Sequence, residues 1–393
     1  MRNSQTKSRS WVEVDIVALR HNARAFRKLA HSTSSGQARP ARLMAVVKSN
    51  AYGHGLIECA KLFEKWDRAQ RSSKSEVGWF GVDDLDEALT LRRAGIKLPI
   101  LVLGYTLPNC YTQAARENIS VTVSSIDSLK HCLQITNCKF HIKLETGLNR
   151  QGITEDELPE ALKFLTRLPV GQGTPERAQL EGVYSHFATA ELADQKKYRD
   201  YCNKQMDRFE RMAKQVERGA DKKLIRHMAG TAATILLPRS RYDLVRIGIG
   251  MYGLDPSNLK PITYNLKPVL NWYSVIAQVK NVKKGERVGY DLTEKLTRDS
   301  KLAIVPVGYW HGYPRALNGK GEVLVRGKRC KVVGRISMDM MTVDVTRIPS
   351  VKAGDIVTLI GAGLSAEAVA AKAGTINYEL VTRISPLLKR TYF

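Results

Sequence analysis

The chain has 393 residues, 43% of them hydrophobic, which is enough for a large core and a second, smaller one, with residues 1–10 as a basic tail. Its formal charge of +24 would attract nucleic acid or anionic membranes, but Lys and Arg are spread along the chain without long basic runs, which favours a solvated surface. No stretch approaches the roughly 18 apolar residues of a membrane span, and the N-terminus has no signal-peptide pattern, so we expect a cytoplasmic protein that binds no specific nucleic acid.

The first predicted elements are a strand over residues 11–15, which could pair with either domain, and a helix over residues 16–29 that Asp15 caps. Short apolar runs then alternate with amphipathic helical patterns up to about residue 250, which is typical of βα units and a parallel sheet. Predicted helices include residues 84–94, 155–168 and 195–217. Eight strands are predicted, at residues 43–47, 78–82, 100–104, 120–124, 140–144, 180–185, 224–228 and 244–248.

Eight such units indicate a (β/α)8 TIM-like barrel over residues 11–265, with a doubly wound open sheet as the alternative. Beyond about residue 265 the pattern changes to β-rich segments separated by Gly, Lys and Asp turns. This pattern predicts a C-terminal all-β domain over residues 266–393. Two polar stretches, residues 32–42 and 67–75, predict exposed loops.

The first candidate chemical group is Lys48 in the segment AVVKSNAYGHG, at the C-terminal end of an apolar strand. That end of a barrel carries the catalytic groups. Loss of solvation there would lower the pKa of the amine and make it available as a Schiff-base nucleophile. Tyr52, four residues further on, could offer a hydroxyl to a phosphate. A lysine that only reaches solvent at the barrel rim is an equally good interpretation of the same pattern.

A second segment, DLVRIGIGMYG, places Arg246 on a strand and Gly248 and Gly250 just after it. Backbone amides there could bind a phosphate, although glycines that merely allow a tight turn explain the pattern equally well. Residues 248–253 also match GxGxxG, but no helical pattern follows them, which argues against a dinucleotide site.

Further polar residues share one predicted location, the same end of successive barrel strands: Lys143, Arg150, His186, His227 and Thr231. Each is weak alone, because a histidine is usually structural and Lys143 or Arg150 could pair with Glu145. Candidates in the C-terminal domain would otherwise be ordinary turn and strand residues: Tyr290, Tyr309, Tyr313, Met338 and Asp339. The chain has no HExxH, CxxC, GxSxG or Walker pattern, so we predict no metal site, serine hydrolase or NTPase.

In this order the segments resemble the alanine racemase family, in which a barrel that binds pyridoxal 5'-phosphate precedes a β domain, over nearly the whole chain. AVVKSNAYGHG is similar to the family's cofactor-lysine motif, which implies that Lys48 carries the cofactor as an aldimine and that Tyr52 contacts its phosphate. VGYDLT resembles the second-base motif, which implies that Tyr290 acts across a homodimer interface on the other subunit's barrel. The implied reaction is the interconversion of L- and D-alanine by these two bases, for peptidoglycan precursors or in amino-acid breakdown.

The resemblance also implies supporting roles. Arg246 would face the pyridine nitrogen and be held by His227, and an arginine leaves that nitrogen unprotonated, which disfavours transamination. Lys143 matches a lysine that many members carry as a carbamate. The other implied cofactor contacts are His186, Thr231, Gly248 and Ile249, and the implied substrate contacts are Arg150, Tyr309, Met338 and Asp339.

The chain departs from the family pattern at four positions. Gly230 replaces an Asn, Trp310 and His311 replace Ala-Asp in the implied access channel, and Pro386 offers no phosphate contact. The alternatives are a broad-specificity or serine racemase of the same fold and a non-catalytic protein that binds pyridoxal phosphate. A decarboxylase of this fold fits less well, because the second-base position holds Tyr290 rather than a cysteine.

Overall fold

The structure, a computed structural model, describes residues 8–31, 40–68, 77–166, 178–256 and 265–393. The predicted tail and the two predicted polar loops lie largely outside these residues. The described chain divides into two compact units. The barrel unit contains Arg20–Ala51 and Leu56–Met251, and the β unit contains Met1–Leu19, Tyr52–Gly55 and Tyr252–Phe393. The domain boundary near residue 265 stays a prediction.

The chain begins with β1 (Ser10–Val14) and α1 (Ile16–Ala30). Asp15 caps this helix, as predicted, because its Oδ1 accepts the amides of Val17 at 2.9 Å and Ala18 at 2.8 Å. These amides have no acceptor inside the helix. The helix therefore begins at the residue that the sequence indicates.

The barrel unit is a nearly closed parallel barrel of eight strands among the described residues, in the order β8-β7-β6-β5-β4-β3-β2-β9. Two backbone hydrogen bonds join its edge strands, from Asp243 to the Arg226 carbonyl at 3.0 Å and from Arg246 to that of Ala229 at 2.9 Å. The predicted barrel is confirmed, and the open-sheet alternative is wrong. The strands are β2 (Arg42–Val46), β3 (Trp79–Val82), β4 (Ile100–Val102), β5 (Ser120–Val123), β6 (Lys139–Lys143), β7 (Gln179–Tyr184), β8 (Ile225–His227) and β9 (Leu244–Ile247).

The segments between the strands contain helices, the first of which is a single turn with positive φ angles. They are α2 (Lys48–Tyr52), α3 (Leu56–Arg68), α4 (Leu85–Arg93), α5 (Tyr111–Arg116), α6 (Ile126–Leu133), α7 (Leu158–Leu165), α8 (Lys196–Gly219) and α9 (Thr231–Leu236). In α8, residues such as Met206, Phe209 and Met212 are buried at helical spacing, so one face packs on the barrel unit. The helix α7 begins three residues later than predicted, at Leu158, because Pro159 favours the first turn of a helix.

The β unit contains a nine-stranded sheet among the described residues. Its first strand β1 pairs antiparallel with β10 and parallel with β19, through Trp11 opposite Tyr273 and Lys389. The remaining elements of this unit are β10 (Leu270–Val275), β11 (Gln278–Val282), β12 (Arg287–Val288), β13 (Glu294–Lys295), β14 (Ser300–Val305), β15 (Glu322–Val325), β16 (Lys328–Val333), β17 (Met341–Asp344), β18 (Ile356–Ile360), α10 (Ala366–Ala373), α11 (Asn377–Thr382) and β19 (Lys389–Tyr392). In the described part of the chain, no helix combines the length and the apolar character of a membrane span.

Candidate active site

Lys48 lies just beyond the C-terminal end of β2, and its Nζ is 2.8 Å from Asp83 Oδ1, just beyond β3. The Lys48 side chain is 36% exposed. The amine is therefore solvated and ion-paired in the single chain, where the sequence analysis expects it to be desolvated. Its position at the catalytic end of a barrel strand is as expected.

The backbone after Lys48 forms a left-handed turn. Ser49, Asn50, Ala51 and Tyr52 all have φ between 51° and 56°, although none of them is a glycine. Such a conformation costs an L-residue on the order of 1–2 kcal/mol. The side chain of Asn50 accepts the amide of Leu56 at 2.9 Å, which helps to close the turn. The sequence predicts only a small-residue loop here, and strain of this kind is concentrated at functional sites.

Glu87, on α4, supports this turn from the side. Its carboxylate accepts the amide of Ser49 at 2.6 Å and the amide of Asp83 at 2.9 Å. Burial raises the pKa of Glu87, because the charged carboxylate loses solvent. One acidic side chain thus ties together the two loops that carry the ion pair between Lys48 and Asp83.

Arg246, on β9, is the most densely hydrogen-bonded group of the site and is 5% exposed. Its Nη1 lies 2.9 Å from His227 Nδ1. Its Nη2 donates to the carbonyls of Ser185 at 2.8 Å and Met228 at 3.0 Å, and lies 3.1 Å from His186 Nδ1. Burial lowers the pKa of Arg246 to about 10, which still leaves a cation at neutral pH.

The two histidines beside Arg246 are neutral. Burial, and then the charge of Arg246, lowers the pKa of His186 to about 3 and that of His227 well below its ordinary value. A guanidinium can only donate, so both Nδ1 atoms accept. The Tyr184 ring stacks on His227 with 4.7 Å between ring centroids, and the Arg246 guanidinium carbon lies 5.1 Å from the same ring.

Lys143, at the end of β6, is buried, and its Nζ donates to Gln151 Oε1 at 3.0 Å. Burial and the charges of Arg150, Arg246 and Lys48 lower the pKa of Lys143 to about 8. The neighbouring cations therefore disfavour a further positive charge on Lys143.

The alternative in which Glu145 pairs with Lys143 or Arg150 is wrong. No side-chain ion pair joins them in the described residues, because the Glu145 carboxylate accepts backbone amides instead. These include the amide of Leu148 at 2.7 Å. They hold the pKa of Glu145 down, even though burial opposes this effect.

A cluster of backbone amides lies next to Arg246. The Oγ1 of Thr231 accepts the amides of Gly248 at 3.3 Å and Gly250 at 3.4 Å. Thr231 and Ile249 are the first residues of a short helix and a 3-10 turn, so their own amides have no acceptor there. Gly250 is required sterically, because a Cβ at this position would lie 2.5 Å from the Phe26 ring and 2.6 Å from Thr231 Cγ2. These groups can bind a phosphate.

The remaining candidates belong to the β unit. The ring of Tyr52 packs near those of Tyr252 and Tyr378, at 5.3 Å and 6.2 Å between centroids. The buried Tyr313 donates only to the Glu322 carbonyl at 3.3 Å, which is a structural role.

Exposed apolar and aromatic side chains meet on three loops of this unit. Tyr290 is 70% exposed and Trp310 is 60% exposed. The Trp310 amide donates to the Met338 carbonyl at 3.0 Å, which joins two of the loops. Gly289 joins the third, since its φ is +80° and a Cβ there would lie 2.9 Å from the Arg335 amide. The other exposed apolar residues of the loops are Leu292, Tyr309, Met338 and Met340.

His311, beside Trp310, is buried and not part of this exposed set. It accepts the amide of Gly308 on its Nδ1 at 3.2 Å, and its carbonyl accepts the amide of Ser385. His311 therefore acts inside the β unit. Asp339, 4.0 Å from His311 Nδ1, is about half exposed.

The sequence does not indicate several groups that lie at the site or behind it in the barrel: Asp83, Glu87, His141, Gln151, Glu181 and Tyr184. Asp83 and Tyr184 lie at or just beyond a strand end, which is the signal that selected the other candidates. Within the described ranges, no cluster of His, Cys, Asp and Glu is arranged to hold a metal ion.

Comparisons with known proteins agree with this architecture. The sequence model "Alanine racemase, N-terminal domain" matches residues 14–256, and "Alanine racemase, C-terminal domain" matches residues 269–392. The chain is 37% identical over 390 residues to an alanine racemase of Desulfovibrio desulfuricans, covering 97% of each chain.

Solved structures give the same result. The crystal structure of alanine racemase from Bacillus anthracis with bound L-Ala-P is 35% identical, with a TM-score of 0.86 over 99% of this chain and 96% of that one. An alanine racemase from Bartonella henselae with covalently bound pyridoxal phosphate is 27% identical, with a TM-score of 0.83 over 98% and 100% of the two chains. The chain therefore belongs to the alanine racemase family, whose members are isomerases that depend on pyridoxal phosphate.

Proposed function

We propose that this chain interconverts L- and D-alanine with pyridoxal 5'-phosphate bound at the C-terminal end of the barrel. The observation that carries the proposal is the pairing of β9, which carries the buried guanidinium of Arg246, with β2, which Lys48 follows, as neighbouring parallel strands of the barrel. An amine can bind an aldehyde covalently, and a guanidinium can donate to a ring nitrogen without giving up its proton.

The described residues fit this cofactor. The hydrogen bonds of Arg246 engage Nη1 and Nη2, and its Nε has no partner among the described residues, so one directed donor remains for the pyridine nitrogen. The amides of Thr231 and Ile249 would bind the phosphate directly, and Thr231 Oγ1, which accepts the amides of Gly248 and Gly250, would donate its hydroxyl proton to it. His186, neutral and next to Arg246, would pack on the cofactor ring.

Lys48 would act as one base. When bound, pyridoxal phosphate supplies the electron sink that makes the Cα–H bond of the attached amino acid acidic. Lys48 Nζ would remove the Cα proton of D-alanine on one face, or return a proton to that face. Asp83 Oδ1 lies 2.8 Å from that amine in this structure and would help to hold it in place.

Tyr290 would act as the other base, from the opposite face and from a second copy of the chain. Racemisation needs a proton removed on one side of Cα and returned on the other, so two groups must flank the carbon. The loop of Tyr290 presents its ring to solvent and is held in place by an ion pair between Asp291 and Arg335. The exposed apolar side chains of the three neighbouring loops are the kind of surface that a homodimer buries.

Arg150 would bind the alanine carboxylate, and Tyr309, Met338 and Asp339 of the second copy would complete the substrate pocket. Lys143 would be present as a carbamate: its neutral amine attacks carbon dioxide, forms an N–C bond and releases one proton. A pKa of about 8 makes the neutral amine available near neutral pH. The product is an anion beside Arg150, where the unmodified lysine places a cation.

The decisive experiment follows both enantiomers of alanine by chiral analysis in deuterated water. Tyr290→Phe, which removes one hydroxyl, should lower racemisation by about 10²–10⁴-fold and leave the cofactor bound. Tyr313→Phe is the matched control, because the Tyr313 hydroxyl contacts only a carbonyl inside the β unit. Full activity of Tyr290→Phe would contradict the assignment.

Mixing two inactive variants tests whether the site is shared. Heterodimers of Lys48→Ala and Tyr290→Phe contain one intact pair of bases, so random mixing should restore about a quarter of the activity. If both bases came from one chain, mixing would restore nothing.

Serine and lysine in the same assay separate a strict alanine racemase from a broad-specificity or serine racemase. A protein that binds the cofactor without turnover would give no deuterium exchange.

We also propose that the protein works in the cytoplasm to supply D-alanine for peptidoglycan. Growth of a D-alanine auxotroph that expresses this chain, without added D-alanine, would support that role, and failure to grow despite activity in the lysate would argue for a catabolic one.

A further inference from the structure

A chain of buried imidazoles extends from Arg246 through the interior of the barrel. His227 Nδ1 lies 2.9 Å from Arg246 Nη1, and His227 Nε2 lies 2.9 Å from His141 Nδ1. The other nitrogen of His141, Nε2, lies 3.8 Å from Glu181 Oε2. Both histidine side chains have no exposed surface. At 3.8 Å this last contact is longer than a hydrogen bond, and His141 Nε2 has no hydrogen-bond partner among the described residues, so the Glu181 carboxylate on β7 faces the end of the chain of imidazoles without a direct bond to it.

The direction of every proton in this chain follows from Arg246. A guanidinium has no acceptor, so His227 Nδ1 must accept and carry no proton. A neutral His227 then carries its proton on Nε2 and donates it to His141 Nδ1. His141 must in turn carry its proton on Nε2, which points toward Glu181. Burial keeps both rings neutral and lowers the pKa of His141 to about 3, so no second proton disturbs this order.

The surroundings of His141 are built to hold the ring in this orientation. Its ring meets Trp79 edge to face at 5.4 Å between centroids. Gly182 on β7 leaves the space that the ring fills, since a Cβ there would lie 2.4 Å from His141 Nδ1.

The carboxylate at the far end of the chain is held as well. Glu181 accepts the hydroxyl proton of Ser120 at 2.5 Å on the same Oε2 that faces His141, and its Oε1 lies 3.9 Å from Lys139 Nζ. Groups of the barrel unit therefore hold the Glu181 carboxylate in place beside His141.

We infer that His141 and Glu181 are positioning residues of the racemase reaction: through His227 they hold Arg246 in one orientation and one protonation state. The inference rests on the proposed function, because its consequence concerns the ring nitrogen that Arg246 would face. A cation held without motion at that nitrogen keeps it unprotonated and so favours racemisation over transamination. His141 and Glu181 touch neither cofactor nor substrate.

Loss of the acceptor at position 141 should loosen Arg246. In His141→Phe the Nε2–H of His227 has no acceptor, and a buried unpaired donor drives the ring toward other tautomers and rotamers. A proton on His227 Nδ1 would then oppose the Arg246 N–H. Asparagine is the conservative replacement, because its side-chain oxygen can accept at the place of the lost Nδ1.

The functional readout is the partition ratio, the number of transamination events per racemisation, measured from conversion of the bound cofactor to its amine form during turnover. We expect His141→Phe to raise this ratio about tenfold, which corresponds to about 1.4 kcal/mol, His141→Asn to restore it, and Glu181→Gln to raise it less. Ser240→Ala is the matched control, because it removes a buried hydrogen bond of the barrel unit, from Ser240 Oγ to the Leu237 carbonyl at 2.7 Å, that involves neither the imidazoles nor Arg246. Its ratio should stay that of the wild type.

The structural readout is independent of activity. A neutron structure of the exchanged wild-type protein should show deuterium on Nε2 of both His141 and His227 and none on either Nδ1. Deuterium on His141 Nδ1, or equal partition ratios for the wild type and His141→Phe, would overturn the inference, as would a rise in His141→Asn equal to that in His141→Phe. If His141→Phe does not fold, Glu181→Gln and His141→Asn decide by the same criteria. A wild type that shows these tautomers but no racemisation would refute the proposed function and leave the proton order standing.

Discussion

Gly182, on β7, has no side chain because the ring of His141 occupies the space, and replacing it with alanine tests that packing. The new Cβ would lie 2.4 Å from His141 Nδ1, 2.5 Å from Cε1 and 2.7 Å from the Ile225 carbonyl oxygen. These contacts are about 1 Å shorter than ordinary van der Waals contact. One of them is with backbone, so rotation of a side chain cannot relieve all of them.

The expected cost can be worked from this geometry. Overpacking in a core costs about 1–3 kcal/mol, and the backbone contact puts this site near about 3 kcal/mol. Alanine recovers up to about 1 kcal/mol through the lower entropy of the unfolded chain. The net loss of about 2 kcal/mol in the free energy of unfolding should lower Tm by about 4–8 °C.

The assay is urea unfolding followed by circular dichroism, together with calorimetric melting, at saturating cofactor. Gly78→Ala is the matched control, because Gly78 precedes β3 of the same barrel and an added Cβ would come no closer than 3.8 Å to any atom. This variant should keep the wild-type stability or gain slightly. If Gly182→Ala were as stable as Gly78→Ala, the packing argument for His141 would be refuted.

Three further predictions concern the phosphate site, a buried lysine and a helix cap. Gly250→Ala should raise the cofactor dissociation constant at least about tenfold, because the new Cβ clashes with Phe26 and Thr231; unchanged affinity in a fluorescence titration would contradict this. Lys143 has a folded-state pKa lowered to about 8, so the unfolded chain binds more protons between that pH and its ordinary pKa. The free energy of unfolding should therefore rise with pH by up to about 3 kcal/mol over that window, compared with Lys143→Met. Urea unfolding without carbon dioxide measures this difference, and parallel pH profiles of the two proteins would refute it. Asp15→Ala should cost about 1 kcal/mol, and Asp15→Asn, which keeps a capping oxygen, should lose much less.

The barrel could be predicted from sequence because its signals are local. Apolar runs that alternate with amphipathic helices mark each βα unit, and all eight predicted strands overlap the strands observed. Asp15 could be recognised as a cap for the same reason, since a cap acts on residues two and three positions away. The positions of Lys48, Arg246 and His227 at strand ends also follow, because parallel strands present their carboxyl ends on one side.

What the local signals could not supply is the identity of partners far apart in the chain. Asp83 meets Lys48 across 35 residues, and Glu87 then binds the loops of both. Sequence proximity makes Glu145 a plausible partner for Lys143. In the fold, the loop that follows Glu145 turns back so that its backbone amides bind the carboxylate instead. The left-handed turn after Lys48 contains no glycine, so nothing in its sequence indicates positive φ angles.

The pattern of side chains along the chain was thus sufficient for the elements, their order and the family. The proton order of His141 and His227 needed three dimensions, because those residues are 86 positions apart and their tautomers depend on a guanidinium from a third strand. Hydrophobic periodicity is a property of neighbouring residues, whereas a hydrogen-bond network depends on which strands the closed barrel brings within 3 Å of each other.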